Sequence, residues 1–326
     1  MKNTYYLTWW NVENLFDTQN SDVRPDWLQS ALNHELEGWN DDVLQQKIHN
    51  LSAVIQSLNN GTGPDILGMC EVENKPVLQR LIDSLAPLNR NYGIVYHDSD
   101  DGRGIDVAFI YDSDKFDFSQ QFSYTVLKRY ATRDLFQANF VTQKGHDLII
   151  IGNHWPARSG GVYESEPYRI IAAETLSYWM ERIMEIKGDD IAVVCMGDFN
   201  DEPFNRSINE YALGSNSITK VKYARSPRMF NLMWPFHGTG IGTFYYNYFP
   251  FVFDQFMVSR ELIKKTGKIK VSETTERLFK VMIERPAEMV SGGRYPNPRL
   301  YGRPSQSNFD QGGYSDHFPV SMVIEE

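Results

Sequence analysis

Short apolar runs rich in valine, isoleucine, tyrosine and phenylalanine recur at residues 5–12, 65–72, 92–97, 105–111, 135–141, 148–154, 191–196, 253–258 and 319–324. Runs of this length and make-up predict β-strands, because β-branched and aromatic side chains fit a pleated, half-buried surface. Two stretches carry a helical period instead. Near 41–58, Val43, Leu44, Ile48, Leu51, Val54, Ile55 and Leu58 fall on one stripe, with Asn40 or Asp41 as cap. Near 167–186, Ile170, Ala173, Leu176, Met180 and Ile183 form another, and Pro167 suits a first helical turn. Strands dominate, and neither an internal repeat nor a Pro/Gly/Ser-rich linker divides the chain. The expected arrangement is a single domain, 1–326, of two packed sheets with flanking helices.

Composition narrows the function. With 41% hydrophobic and 13% aromatic residues the chain reads as a folded globular protein. Its net charge of -10 argues against a protein that simply coats nucleic acid. It leaves room for an enzyme that holds phosphates through a cation, because the metal supplies positive charge locally. Cys70 and Cys195 lie in apolar runs and are expected to be buried thiols, with no disulfide framework and no zinc spacing. No signal-peptide region precedes the first strand and no stretch is long enough to span a membrane, so a soluble, cytoplasmic chain is expected. Residues 260–304 stand apart, with 11 Lys and Arg against 5 Asp and Glu, net +6. A basic insertion around 260–313 is therefore expected, either a solvated surface excursion or a flap beside the active site that contacts a polyanion.

The chemistry lies at strand ends. Asn11 closes the first strand, Glu71 ends a buried one, Asn153-His154 ends another, Asp198-Phe199-Asn200 a third, and Ser315-Asp316-His317 begins the last. Singly, each has an ordinary explanation, since Asp and Asn make turns and a lone His is commonly structural. Together they supply hard oxygen donors suited to Mg²⁺, with Mn²⁺ as the alternative, plus two imidazoles for acid–base work. No Gly-rich phosphate loop and no Gly-x-Ser-x-Gly elbow competes.

The set, in this order from Asn11 to His317, resembles the endonuclease/exonuclease/phosphatase superfamily, with Gly197-Asp198-Phe199-Asn200 and Ser315-Asp316-His317 as its most specific motifs. That resemblance implies an α+β fold, a four-layer αββα sandwich of two packed mixed sheets. It implies Glu71 as the main metal ligand, helped by Asn11 and Asp316. It implies His317 as general base oriented by Asp254, Asp198 as the residue that positions or deprotonates the water, and Asn200 as the amide on a phosphate oxygen. The choice of base between Asp198 and His317 stays open. His154 resembles the histidine of the DNase I and sphingomyelinase branch, with Asp106 as its carboxylate partner, and argues against the abasic-site branch, which has a tyrosine there. Glu13 stands where those enzymes carry a metal-side Asp, and is expected either to serve the metal or to be exposed. Arg103, Arg158 and Arg169 are candidates for phosphate contacts, with a surface location as the alternative. The run Tyr245 to Phe251 is expected to pack in the core beside Asp254, with a stacking platform for bases as the alternative, and no exposed apolar hairpin is expected. The function implied is Mg²⁺-dependent phosphodiester hydrolysis by a nuclease acting on DNA or RNA. A phosphatase or phosphodiesterase acting on a small-molecule or lipid phosphate ester is the alternative, and a non-catalytic scaffold the remotest. No obligate protein partner is evident.

Overall fold

A computed structural model describes residues 2–292 and 296–326. The chain lays down β1 (Thr4–Leu15), β2 (Ile66–Val72), β3 (Tyr92–Tyr96) and β4 (Asp106–Asp112) in a first sheet. It crosses to a second sheet for β5 (Phe116–Tyr124), β6 (Leu135–Thr142), β7 (Asp147–His154), β8 (Ala192–Asp198), β9 (Gly214–Ser215) and β10 (Met229–Asn231). A separate hairpin of β11 (Phe244–Tyr246) and β12 (Phe249–Phe251) precedes β13 (Asp254–Val258) of the second sheet. Then β14 (Lys270–Val271), β15 (Val281–Ile283) and β16 (Val320–Glu325) return to the first. The sheet orders are β14-β16-β1-β2-β4-β3, with β15 also on β16, and β5-β6-β7-β8-β13-β10-β9. Both are mixed: β1 runs parallel to β2 and β7 to β8, whereas β16 and β13 join them antiparallel.

Alternation along the strands sorts the side chains into layers. Leu7 and Trp9, Leu148 and Ile150, Val194 and Met196, Phe256 and Val258, and Val320 and Met322 meet between the sheets. The next residue in each case faces outward. After the short α1 (Asp26–Leu32), α2 (Asp41–Gly61) and α3 (Lys75–Ser84) form a helical layer under which Trp10, Val12, Leu67 and Met69 lie, against Leu44, Ile48, Leu51 and Leu78. Ile149, Ile151, Val193 and Cys195 lie under Leu176 and Met180 of α4 (Val162–Lys187). The result is the four-layer αββα sandwich. Each such buried aliphatic side chain contributes about 1.5–3 kcal/mol relative to exposure. The two large indole and phenyl rings in the middle need missing side chains opposite them. A Cβ at Gly68 would lie 2.8 Å from Trp9 Cε3, and one at Gly152 would lie 2.9 Å from Phe109 Cζ.

Each strand run read from the sequence is present. The second helix begins earlier than expected, at Val162, so Pro167 sits inside it. Side chains hold the extra turn. Arg169 donates from Nη2 to the Val162 carbonyl (3.1 Å) and from Nη1 to Ser165 Oγ (2.8 Å), and Ser165 Oγ donates to the Gly161 carbonyl. In α2, Leu58, Asn59 and Asn60 leave helical geometry, which agrees with the end expected at 58. Unforeseen elements include α1, α3, although Asn74 caps it by accepting Val77 N–H and a proline sits in its first turn, and β5, an edge strand whose middle is exposed. Cys70 and Cys195 are free and buried. Among the described residues no helix is long and apolar enough to cross a membrane.

Register locates the basic segment. Lys270 and Thr4 both pair with Glu325, whereas Trp9 pairs with Val320. Asn11 is therefore about 23 Å along β1 from Thr4, at roughly 3.3 Å per residue. The part near 260–271 lies at the end of the sandwich remote from Asn11, so it is no flap over the polar strand ends. Its cations are largely paired: Arg260 with Asp189, Lys264 with Asp190 and Lys270 with Glu325. Further along, Arg299 pairs with Asp310 and Arg303 with Glu35. Tyr301 and Gly302 instead reach the Asn11 end, donating to Glu13, and the Arg285 guanidinium lies 5.4 Å over the Phe318 ring; Arg294 lies outside the described residues.

Candidate active site

The polar cluster continues the apolar alternation. Two residues beyond Trp9 comes Asn11, beyond Gly152 comes His154, beyond Met196 comes Asp198, and two before Phe256 stands Asp254. Strand period places all four on the face between the sheets, at the end where the apolar core stops. All are buried, as is His317.

His317 is held from several sides. Its Nδ1 lies 2.7 Å from Asp254 Oδ2, and the other oxygen of Asp254 accepts Trp9 Nε1 at 3.1 Å. Its carbonyl accepts Trp10 Nε1, its N–H donates to Ser315 Oγ, and that hydroxyl donates to the Asn11 carbonyl at 2.7 Å. With Nδ1 on Asp254, Nε2 faces Asp198 Oδ2 at 3.8 Å. Burial works against charge on this ring, but Asp254, Asp198 and Asp316 outweigh it and push its pKa well above the usual histidine range. Asp198 is pushed up to about 6 by burial, opposed by His317. Its Oδ2 accepts Asn11 Nδ2 (3.1 Å) and its Oδ1 accepts the Asn200 N–H (2.9 Å).

Asn200 has a positive φ of 50° and donates one amide hydrogen to the Trp155 carbonyl, which leaves the other available. The turn is braced from behind. Arg158 donates to the Asn200 carbonyl (2.8 Å) and to Asp201 (2.9 Å), while the fully buried Arg169 sets Nε 2.8 Å from the other Asp201 oxygen. Arg158 and Arg169 therefore brace this loop, and Arg169 is not a surface residue.

Glu71 owes its position to a β-bulge. The pairing of β2 with β4 shifts between Cys70 and Val72, and Glu71 adopts φ 67°. Left-handed backbone at a carboxylate costs about 1–3 kcal/mol and is held only by its surroundings. Here the Asn14 N–H donates to Glu71 Oε2 at 2.9 Å and Asn11 Nδ2 approaches Oε1 at 3.4 Å. Asp316 is pushed up to about 6, mainly by burial, with His317 opposing and Glu71 adding repulsion. Among the described residues no hydrogen-bond donor reaches its carboxylate. Two mutually repelling carboxylates, one of them without a donor, fit a hard divalent cation; Asn11 turns its amide nitrogen toward Glu71 and Asp198, while its Oδ1 accepts the Glu13 N–H. The oxygens and nitrogen of Asp198, Asp254 and His317 also cluster within 4.8 Å. Both oxygens of Asp254 are already bonded, however, so that triad suits proton handling, and Glu71 and Asp316, with Asn11 beside them, suit metal.

Glu13 neither faces this site nor lies in solvent. It is buried and accepts the N–H groups of Tyr301 (2.7 Å) and Gly302 (3.0 Å), with the buried Lys47 3.9 Å away. Lys47 in turn donates to the Tyr314 carbonyl. This pair anchors the segment leading to Asp316.

His154 has its Nε2 3.7 Å from Glu71 Oε1 and 3.9 Å from Asp198 Oδ2. The structure does not bring Asp106 to it. Asp106 bonds Ser99 and Tyr96, and burial pushes its carboxyl up to about 7. The partner is Arg133, whose Nε lies 3.2 Å from Nδ1 and whose Nη2 lies 3.0 Å from Nε2. Burial, then Arg133 and Arg103, hold the His154 pKa well below its usual value, so the ring is neutral. Arg103 reaches Asn14 Oδ1 and thereby borders the Glu71 side. Arg133 was missed because it lies in a loop with no period; its only sequence signal is the basic cluster Lys128, Arg129 and Arg133.

The aromatic run also departs from expectation. It forms the β11–β12 hairpin, in which Tyr246, Tyr248 and Phe249 are exposed while Phe244 and Phe251 are half-buried.

A profile described as the Endonuclease/Exonuclease/phosphatase family matches residues 6–326. No curated protein sequence matches. Solved structures share the fold. The mannosyl-6-phosphatase Bt3783 of Bacteroides thetaiotaomicron is 14% identical, with 98% of this chain and 99% of that one covered and a TM-score of 0.57. TDP2 of D. rerio, complexed with single strand DNA product, is 13% identical, with 98% of each chain covered and a TM-score of 0.59. The human Nocturnin catalytic domain with bound sulfate anion is 15% identical, with 99% and 97% covered and a TM-score of 0.51.

Proposed function

The chain belongs to the endonuclease/exonuclease/phosphatase family, whose members are divalent-metal-dependent phosphoester hydrolases, and from that premise we propose that it hydrolyses phosphodiesters of nucleic acid with Mg²⁺. The observation that carries the hydrolytic reading is the His317–Asp254 pair aimed at Asp198. A water seated against His317 Nε2 and Asp198 Oδ2 meets a coupled pair that takes one proton between them, the two titrating as one unit. Asp254 fixes the imidazole and stabilises it when charged. Asn11 holds Asp198 in place, and the free Asn200 amide hydrogen points donor character at a phosphoryl oxygen. On the other side, Arg133 and Arg103 add positive charge where charge builds in the transition state, and neutral His154 offers its ring N–H to the leaving oxygen. Glu71 and Asp316, with Asn11 beside them, would hold the metal, which when bound supplies Lewis-acid stabilisation of the phosphoryl oxygens.

Nucleic acid is favoured by the aromatic hairpin at the site. A small phosphate ester is the second reading, favoured by the net charge of -10 and by the remote, paired location of Arg260 and Lys264. Supercoiled plasmid, single-stranded RNA and a chromogenic phosphodiester, each tested with Mg²⁺, Mn²⁺ or chelator, separate the two. Metal-dependent cleavage of a nucleic acid, absent in His317→Ala, is expected. Turnover of the small diester alone would move the substrate to a small molecule, and full activity in His317→Ala would overturn the assignment.

A further inference from the structure

The β11–β12 hairpin takes no part in the proton or metal chemistry, yet it adjoins the reacting groups directly. Phe244 forms an isolated bridge with His317, and its ring lies 4.8 Å from the imidazole. Register pairs Phe244 with Phe251 and Tyr246 with Phe249. Directly opposed residues share a face, and so do residues two apart, so these four rings line one side of the hairpin. Tyr245 takes the other side, edge-on to Phe318 at 6.2 Å. The inner pair is anchored: Phe244 stacks on Phe253 at 5.4 Å and 17°, and the Arg158 guanidinium lies 4.7 Å over Phe253 and 5.6 Å over Phe251. Among the described residues the outer pair is not, with Tyr246 65% and Phe249 70% exposed. Two residues further out is about 7 Å along the strand, which is room for one planar group beyond the scissile position. Two large rings left in water on a face continuous with a catalytic imidazole mark a binding surface rather than a packing defect.

We propose that this face is a stacking platform for unpaired nucleobases, which seats a single strand or a frayed end with its scissile phosphate at His317. The proposal rests on the phosphodiesterase reading above and deepens it. Aromatic stacking needs only the π-face of a base, which a single strand offers regardless of sequence and a duplex hides. The chemistry of the tip favours bases over a lipid surface. Residues 242–252 contain no Lys or Arg to meet anionic headgroups, and the exposed rings carry tyrosine hydroxyls flanking Asn247.

The test is the double variant Tyr246→Ala/Phe249→Ala, beside the conservative Tyr246→Phe/Phe249→Tyr. Hydrolysis of a single-stranded oligonucleotide and of its duplex is followed with Mg²⁺. The alanine variant is expected to raise KM for the single strand about 5- to 100-fold, the range for losing one stacked base, with the larger effect on KM than on kcat. Its preference for single strand over duplex should collapse, and the conservative variant should restore it. An equal fall on both substrates, or no change, overturns the platform. So does co-sedimentation of the wild-type protein with phosphatidylserine vesicles that the alanine variant abolishes while single-strand KM stays put. Anisotropy of an end-labelled oligonucleotide, read in a His317→Ala background, separates the two readings. Binding that the alanine variant loses supports the platform even where wild-type turnover fails, whereas turnover without any such loss of binding sinks the platform alone.

Discussion

The two ends of the sandwich are made from the same strands and treat charge in opposite ways. At the Glu325 end, Arg260, Lys264 and Lys270 meet Asp189, Asp190 and Glu325 in solvent-exposed pairs. At the Asn11 end, Asp198, Asp254 and Asp316 are packed with Glu71 around His317, and burial drives Asp198 and Asp316 upward. Exposed pairs are worth about 0–1 kcal/mol each, so the first end contributes modestly to folding. The second opposes folding and persists because the fold over-determines it, as expected where perturbed groups do chemistry. Volume gives no such guidance. A cavity of about 880 Å³ lies at the Glu325 end, lined by Lys187, Arg260 and Lys264, which already meet Asp147, Asp189 and Asp190.

That contrast breaks or sharpens under substitution. The largest effect is expected from Asp254→Asn, which frees the His317 ring and should lower kcat about 10²- to 10⁴-fold, measured at saturating metal. A loss of folding stability in place of lost turnover would make the buried cluster structural, and the contrast would vanish. Next comes Lys47→Met, which leaves Glu13 buried without its cation. Removing one partner of a buried pair costs about 3–5 kcal/mol in urea unfolding. A change below about 1 kcal/mol, the exposed-pair scale, would place this buried pair with the exposed ones. Third is Asp106→Asn. Its carboxyl rises from 3.8 to about 7 on folding, so the folded state favours the protonated form. The stability it contributes is complete below its ordinary value and is lost as pH rises through about 7. The wild-type thermal midpoint should therefore fall across that window by an amount corresponding to about 2–4 kcal/mol, and the asparagine variant should fall less. Equal slopes would remove Asp106 from the account. The smallest effect is expected from Lys264→Ala at the far end, under about 1 kcal/mol, with hydrolysis unaltered. A larger drop in activity would tie that end to the substrate.

Much of the site was legible because its residues obey the same alternation as the core. Val194 and Met196 point between the sheets, so Asp198 must too, and Trp9 delivers Asn11 by the same rule. What escaped depends on geometry that a period of two does not encode. Glu13 sits at φ 51° in an irregular stretch of β1, and its direction follows from that backbone, not from its spacing. Arg133 comes from a loop, so nothing in its neighbours' pattern assigns it to His154 in place of Asp106. The exposure of Tyr246 and Phe249 depends on a hairpin whose outer face meets no other layer among the described residues, and an aromatic run reads alike whether covered or bare. Pro167 misled because side chains, above all Arg169, carry a turn that backbone rules assign to the helix start.

The bulge at Glu71 has a consequence for anyone rebuilding this centre elsewhere. In a regular strand the address of every side chain is inherited from its neighbours, so a change that re-faces one re-faces all. The irregularity between Cys70 and Val72 interrupts that inheritance: Cys70 joins the layer between the sheets and Val72 the layer under the helices, while Glu71 belongs to neither. The apolar body of β2 can thus drift in sequence without re-aiming the carboxylate. A graft that copied Glu71 into a smooth strand would reproduce the letter and lose the direction, so the kinked backbone and the Asn14 N–H that holds it must travel together.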